Sequence, residues 1–141
     1  MLVSEVMTTD LPTVDIAGSL REATVEMLEL DRSNVLLAED GEPVGLLTFR
    51  KALIACCQTN APIDDIPLAK FTRGFDVTVE PSTTLLFAIG HMKRANVNVL
   101  PVQEDLDIVG LVTREDVVRN VSNFRKEAAR IKDQRSRWKQ P

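Results

Sequence analysis

The sequence has few of the residues from which active centres are usually assembled. Its one histidine, His91, excludes any zinc set that does not borrow carboxylates or a second chain. It also leaves a Ser-His-Asp arrangement with a single candidate base. A place on a helix surface is the expectation for it. The only two cysteines, Cys56 and Cys57, are adjacent, which suits neither a mutual disulfide nor a Cys-x-x-Cys metal or redox spacing. With Leu53, Ile54 and Ala55 beside them, they are expected to be structural thiols on a half-buried helix face. No Gly-rich phosphate loop is present. These gaps argue against an enzyme: no catalytic residue, no metal and no required cofactor are expected.

Long apolar runs are also missing. The longest stop at about six residues, where a membrane span needs about 20. The opening Met1-Leu2-Val3-Ser4-Glu5-Val6 lacks the basic and apolar regions of a signal peptide. A soluble, cytoplasmic protein is therefore expected. A hydrophobic share of 44% with 27% charged residues is an ordinary globular balance, and 141 residues suffice for a real core.

Charge is unevenly spread. The 17 basic and 21 acidic residues divide into 10 and 19 over residues 1–122, and seven and two over 123–141. The acidic body argues against nucleic acid as a partner, whereas the tail is basic.

The chain repeats itself. Shifted by 65 residues, 13–53 aligns without a gap on 78–118, with 11 of 41 pairs identical, among them Thr13/Thr78, Leu20/Leu85, Met27/Met92, Gly45/Gly110 and Thr48/Thr113. The lead-ins fit as well, Val3 and Val6 falling on Leu68 and Phe71. Each copy reads as strand, helix, strand, strand, helix. Short strands at Pro12–Asp15 and Asp76–Glu80 precede helices with apolar stripes Leu20, Ala23, Met27, Leu30 and Leu85, Ala88, Met92, Ala95. Ser19 and Glu22 form a plausible capping box. Strand pairs follow at Asn34–Ala38 with Pro43–Thr48, and at Val97–Val102 with Asp107–Thr113, each joined by a short acidic turn.

The expected fold is thus α/β (α+β): tandem β-α-β-β-α repeats, with two small mixed sheets packed in pseudo-twofold symmetry. Expected boundaries are 1–60, 61–122 and a basic helical tail at 123–141. The linker Thr59–Asp65 is not expected to separate independent domains.

The segment Val109–Asp116 carries the chemistry. Thr113 and Asp116 lie three apart where a strand runs into a helix, beside helix N-terminal N–H groups. Such a corner can hold a ribose or a phosphate. It is equally the pattern of a capping box, which stabilises a helix by about 1 kcal/mol without any ligand.

With that element order, Val-Gly-Leu-Val-Thr-x-x-Asp at 109–116, Asn98-Val99-Leu100-Pro101-Val102 before it, and Val6-Met7-Thr8 leading to Leu11-Pro12-Thr13-Val14, the chain resembles a cystathionine-β-synthase (CBS) domain pair, or Bateman module, over residues 1–122. The resemblance implies clefts between paired sheets that bind adenosine ligands: AMP, ADP, ATP or S-adenosylmethionine. It implies a regulatory role without catalysis, and commonly a homodimer. Carried over, Asp116 would accept from two ribose hydroxyls and Thr113 would face the ribose-phosphate side. Phe75, Asp76 and Val77 would read the adenine through their backbone, while Asn98 and Leu111 would line base and ribose. Arg114 would be within reach of a phosphate, or would be a solvated arginine at a helix start.

The first repeat departs from this pattern. Lys51 stands where the ribose carboxylate belongs, and Leu36 where the second repeat has Pro101. A lysine only donates, so the site built on Ser33, Leu46, Thr48 and Lys51 is expected to be degenerate. The alternative overall is a ligand-free dimerisation or scaffold module, whose basic tail docks an effector protein or nucleic acid. In that tail, Val117, Val121, Phe124, Ala128, Ile131 and Trp138 follow a near-heptad period, interrupted by Arg135. One long helix to about Ile131 is expected, fraying towards Trp138.

Overall fold

A computed structural model describes residues 1–138. It contains two compact units, and their division does not follow the sequence halves 1–60 and 61–122. The middle unit is Asp10–Asp76; the terminal unit joins Met1–Thr9 to the chain from Val77 onward. Each repeat's lead-in is therefore packed with the other repeat.

In the middle unit, β1 (Thr13–Asp15), α2 (Leu20–Glu29), β2 (Asn34–Glu39), β3 (Glu42–Thr48) and α3 (Phe49–Gln58) follow the expected order. The single-turn helix before them, α1 (Val3–Val6), belongs to the terminal unit. β1 runs parallel to β2 and β2 antiparallel to β3, giving a mixed sheet in the order β1-β2-β3. The acidic turn at Asp40-Gly41 places both residues at positive φ, 53° and 81°, as a tight two-residue hairpin demands. Ser19 starts α2 by accepting from the Glu22 N–H at 3.3 Å.

Leu20, Ala23 and Met27 bury one face of α2 against Val35, Leu37 and Leu47. Each large side chain so buried is worth about 1.5–3 kcal/mol. Leu30 is not part of that face: the helix ends at Glu29, and Leu30 is its exposed C-cap. The linker contributes a 3₁₀ turn, Ile63–Asp65, and the short helix α4 (Ala69–Thr72). Ile63, Ile66 and Leu68 all pack into this unit's core.

The terminal unit repeats the plan with α5 (Leu85–Ala95), β4 (Val99–Glu104), β5 (Asp107–Thr113), α6 (Arg114–Arg119) and α7 (Val121–Trp138). Val3 and Val6 of α1 fill its core with Leu85, Ala88, Met92, Leu100, Val102 and Val112. The expected strand Asp76–Glu80 shrinks to one parallel bridge, Val79 with Val102. Its two bonds run from the Val79 N–H to Pro101 O at 3.0 Å, and from the Gln103 N–H to Val79 O at 2.8 Å. The next rung would need an N–H at position 101, and proline has none. Leu36, the equivalent residue in the first repeat, has one, and there three residues pair.

The expected single tail helix is two. α6 stops at Arg119 and α7 starts at Val121, with Asn120 between them at φ −103°, ψ 12°. The helical backbone then continues to Trp138 rather than fraying after Ile131. Val117 belongs to the unit's core, whereas Val121 and Ile131 are exposed. The stripe positions Phe124, Ala128 and Trp138, and Arg135, have side chains outside the described residues. Among those described, no helix is long and apolar enough to cross a membrane.

Candidate functional site

Asp116 is the one charged side chain buried among the described residues, at 2% exposure. β5 delivers it: the strand ends in extended backbone at Thr113, which caps α6 and places Asp116 in the first turn. The Thr113 hydroxyl accepts from the Asp116 N–H at 3.1 Å, and the Thr113 N–H donates back to Asp116 Oδ2 at 2.9 Å. This is a reciprocal capping box, so that reading of the motif is correct as structure.

More than the cap holds the carboxylate. Oδ2 also accepts from the Thr113 hydroxyl at 3.0 Å. Oδ1 accepts from Arg119 Nη2 at 2.8 Å and from the Thr8 hydroxyl at 3.2 Å, which lies 3.4 Å from Oδ2. A carboxylate has about four lone-pair positions, and donors of this chain occupy them. The two sides differ in kind. Oδ2 is held by its own helix cap. Oδ1 is held by a threonine from the far end of the chain and by an arginine whose side chain is 71% exposed.

Neither Thr8 nor Arg119 stands out as a site residue in the sequence. Arg119 had a local signal, being three residues past Asp116 on one helix face. Thr8 had none, since 108 residues separate it from its partner. It arrives because the lead-in pairs with β5, by Thr8 N–H to Leu111 O at 2.8 Å and Leu111 N–H to Thr8 O at 3.0 Å. That approach needs Gly110. A Cβ there would meet Met7 Sδ at 2.8 Å and Thr8 O at 3.1 Å.

The other expected residues are distributed as follows. Leu111 is buried in the β4–β5 ladder opposite Pro101. The Arg114 N–H donates to Asn98 O at 2.9 Å, which brings position 98 to the same corner, and both side chains are exposed. Val77 is half-buried in the terminal unit's core, whereas Phe75 and Asp76 belong to the middle unit.

The first repeat builds the same corner from different atoms. Phe49 N–H donates to Ser33 O at 3.3 Å, and the Thr48 hydroxyl caps α3 at the Lys51 N–H, 3.2 Å away. The Lys51 ammonium turns back to donate to Leu46 O at 3.1 Å. Ser33, Leu46, Thr48 and Lys51 thus converge, but around a cation donating to a backbone carbonyl.

The remaining features fit other roles. Cys56 and Cys57 are both exposed, contrary to the expectation of a half-buried face; Ala52 and Ala55 are the residues α3 buries. His91 is half-buried on α5, its ring stacked on Phe87 at 5.9 Å between centroids. An open hollow of about 570 Å³ in the terminal unit is lined by Glu80, Glu104 and Asp105 among others, a setting hostile to an anion. Among the described residues, no group of three or more His, Cys, Asp or Glu is placed to hold a metal.

Comparison with known proteins agrees with this architecture. The CBS domain family matches residues 3–57 and again 63–123, and the chain belongs to that family. The CBS domain pair of the protein MJ0100, in complex with 5′-methylthioadenosine and S-adenosyl-L-methionine, superposes with a TM-score of 0.74 at 20% identity, covering 87% of this chain and 97% of that one. A conserved CBS domain protein, TA0289, of Thermoplasma acidophilum gives 0.78 at 23% identity, covering 84% and 68%. A homoserine O-acetyltransferase of Methanohalobium evestigatum is 27% identical over 124 residues, 86% of this chain. The chain spans only 24% of that relative's length.

Proposed function

We propose that this CBS pair is a regulatory ligand-binding module, without catalysis of its own, that takes an adenosine-bearing ligand at the Thr113–Asp116 corner. The observation that carries the reading is the buried carboxylate with one exchangeable oxygen. A ribose cis-diol presents two O–H donors. It would replace Thr8 and Arg119 on Oδ1, while Oδ2 stays anchored by Thr113. The MJ0100 complex supports an adenosine-bearing ligand, since its two ligands share that moiety. AMP, ADP and ATP carry it too. Asn98, Leu111 and Arg114, with Phe75, Asp76 and Val77, remain the proposed surroundings of base, ribose and phosphate. The first-repeat corner is the degenerate one, because Lys51 cannot accept from a diol.

Isothermal titration with S-adenosylmethionine, 5′-methylthioadenosine, AMP, ADP and ATP tests this. At least one should bind tighter than about 1 mM, and Asp116→Ala should weaken it about tenfold or more. Arg119→Ala and Thr8→Ala should bind at least as tightly as the parent, because they remove donors the ligand has to displace. Binding unchanged in Asp116→Ala, or none at all, would sink the reading.

A second reading, a scaffold module without ligand, is favoured by one fact: this chain's own donors already satisfy the Asp116 carboxylate. The same titration decides between the two.

A further inference from the structure

We infer that α7 is the contact surface for a second copy of this chain, the two α7 helices pairing in parallel as a short two-stranded coiled coil. The structure divides the tail's apolar stripe at Asn120. Val117 stays in the core, and from Val121 the stripe continues on a separate helix whose described apolar members, Val121 and Ile131, are 39% and 47% exposed. Reading the sequence along that helix gives a heptad. Val121, Ala128 and Arg135 take the a positions; Phe124, Ile131 and Trp138 take the d positions. An apolar seam at spacings of three and four needs a partner with the same seam, and an identical helix has it.

The charged positions choose the direction. Glu127 falls at g and Lys132 at the following e, five residues on. In a parallel, in-register pair each g residue faces the e residue of the next heptad on the other helix, so Glu127 of each copy meets Lys132 of the other, twice over. An antiparallel pair sets e against e, which brings Arg125, Lys132 and Lys139 together, all basic. Arg135 at an a position is the polar residue that tolerates a partner in one register. The inference concerns a surface apart from the Asp116 corner and does not depend on a ligand.

The test uses the full chain with Cys56→Ser and Cys57→Ser, which removes the exposed native thiols. Sedimentation equilibrium should give a dimer whose dissociation constant rises about tenfold or more in Ile131→Asp and in Glu127→Lys. The combined Glu127→Lys/Lys132→Glu exchange should restore it to within about threefold, because the two charges swap places across the pair. Ala128→Cys in the same background should form a 128–128 disulfide under mild oxidation, which requires a parallel, in-register pair. A monomer at every concentration overturns the inference. So does a dimer indifferent to Ile131→Asp that yields no 128–128 disulfide. A dimer that weakens steeply as salt rises, again without that disulfide, assigns the basic tail to the acidic body of the second copy and likewise overturns it.

Discussion

Gly45 and Gly110 show how much one hydrogen in place of a methyl group decides here. They occupy equivalent positions in the two repeats, and each lies under the lead-in that crosses its strand. At Gly45 an added Cβ would overlap the backbone carbonyl of Thr72, which has no freedom to withdraw. At Gly110 the first atom met is Met7 Sδ, at the mobile part of a flexible side chain. Gly45→Ala should therefore destabilise by about 3 kcal/mol and Gly110→Ala by about 1 kcal/mol, read from urea unfolding. Equal losses would mean that the lead-ins are not held as tightly as these contacts indicate. The same scale governs Asp116. Whether it serves a ligand depends on how readily Thr8 and Arg119 leave Oδ1, while the cap through Thr113 persists in either case.

Among the elements, the end of β2 is tied to the second lead-in by one exposed ion pair, Arg73 Nη2 to Glu39 Oε2 at 2.7 Å. The hydrogen bond and charge of Arg73 lower the Glu39 pKa below its ordinary value. A depressed folded value means that whatever stability the pair adds is present above the unfolded pKa and fades as pH falls through the folded one. NMR titration should find Glu39 below the usual glutamate range in the parent and moved upward in Arg73→Ala, with the difference shrinking in high salt. No upward move would show the pair to be open in solution. Elements of this kind were legible in the sequence wherever their cause is local. The stripe Leu20, Ala23, Met27 marked a helix face, Ser19 and Thr113 marked helix starts, and Asp40-Gly41 marked a hairpin. What escaped was set by distant partners. Leu30 sits at a helix end rather than on a core face, the cysteines lie outside the face that Ala52 and Ala55 bury, and Pro101 silenced a rung for a strand 20 residues away. The capping half of the Asp116 site could be read from Thr-x-x-Asp; the Thr8 half depends on a pairing that no local pattern announces.

At the scale of the molecule, the repeat in sequence and the unit in space are out of step. The duplication runs from each lead-in through its own helices, whereas packing gives Met1–Thr9 to the second repeat and the 61–76 segment to the first. Leu85 N–H reaches Met1 O at 2.8 Å, and 65 residues away in the alignment Leu20 N–H reaches Ile66 O at 2.8 Å. Producing 1–60 and 61–141 as separate polypeptides is the direct check. Neither should melt cooperatively alone, and mixing them should restore a single transition at a midpoint that rises with concentration. Independent melting of either piece would contradict the exchange. If it holds, one repeat on its own is a structure with a missing edge and a spare one. An ancestral chain with a single copy would then have completed its sheet only by trading ends with a neighbour, and fusing two copies would have turned that intermolecular trade into a fold one molecule can finish.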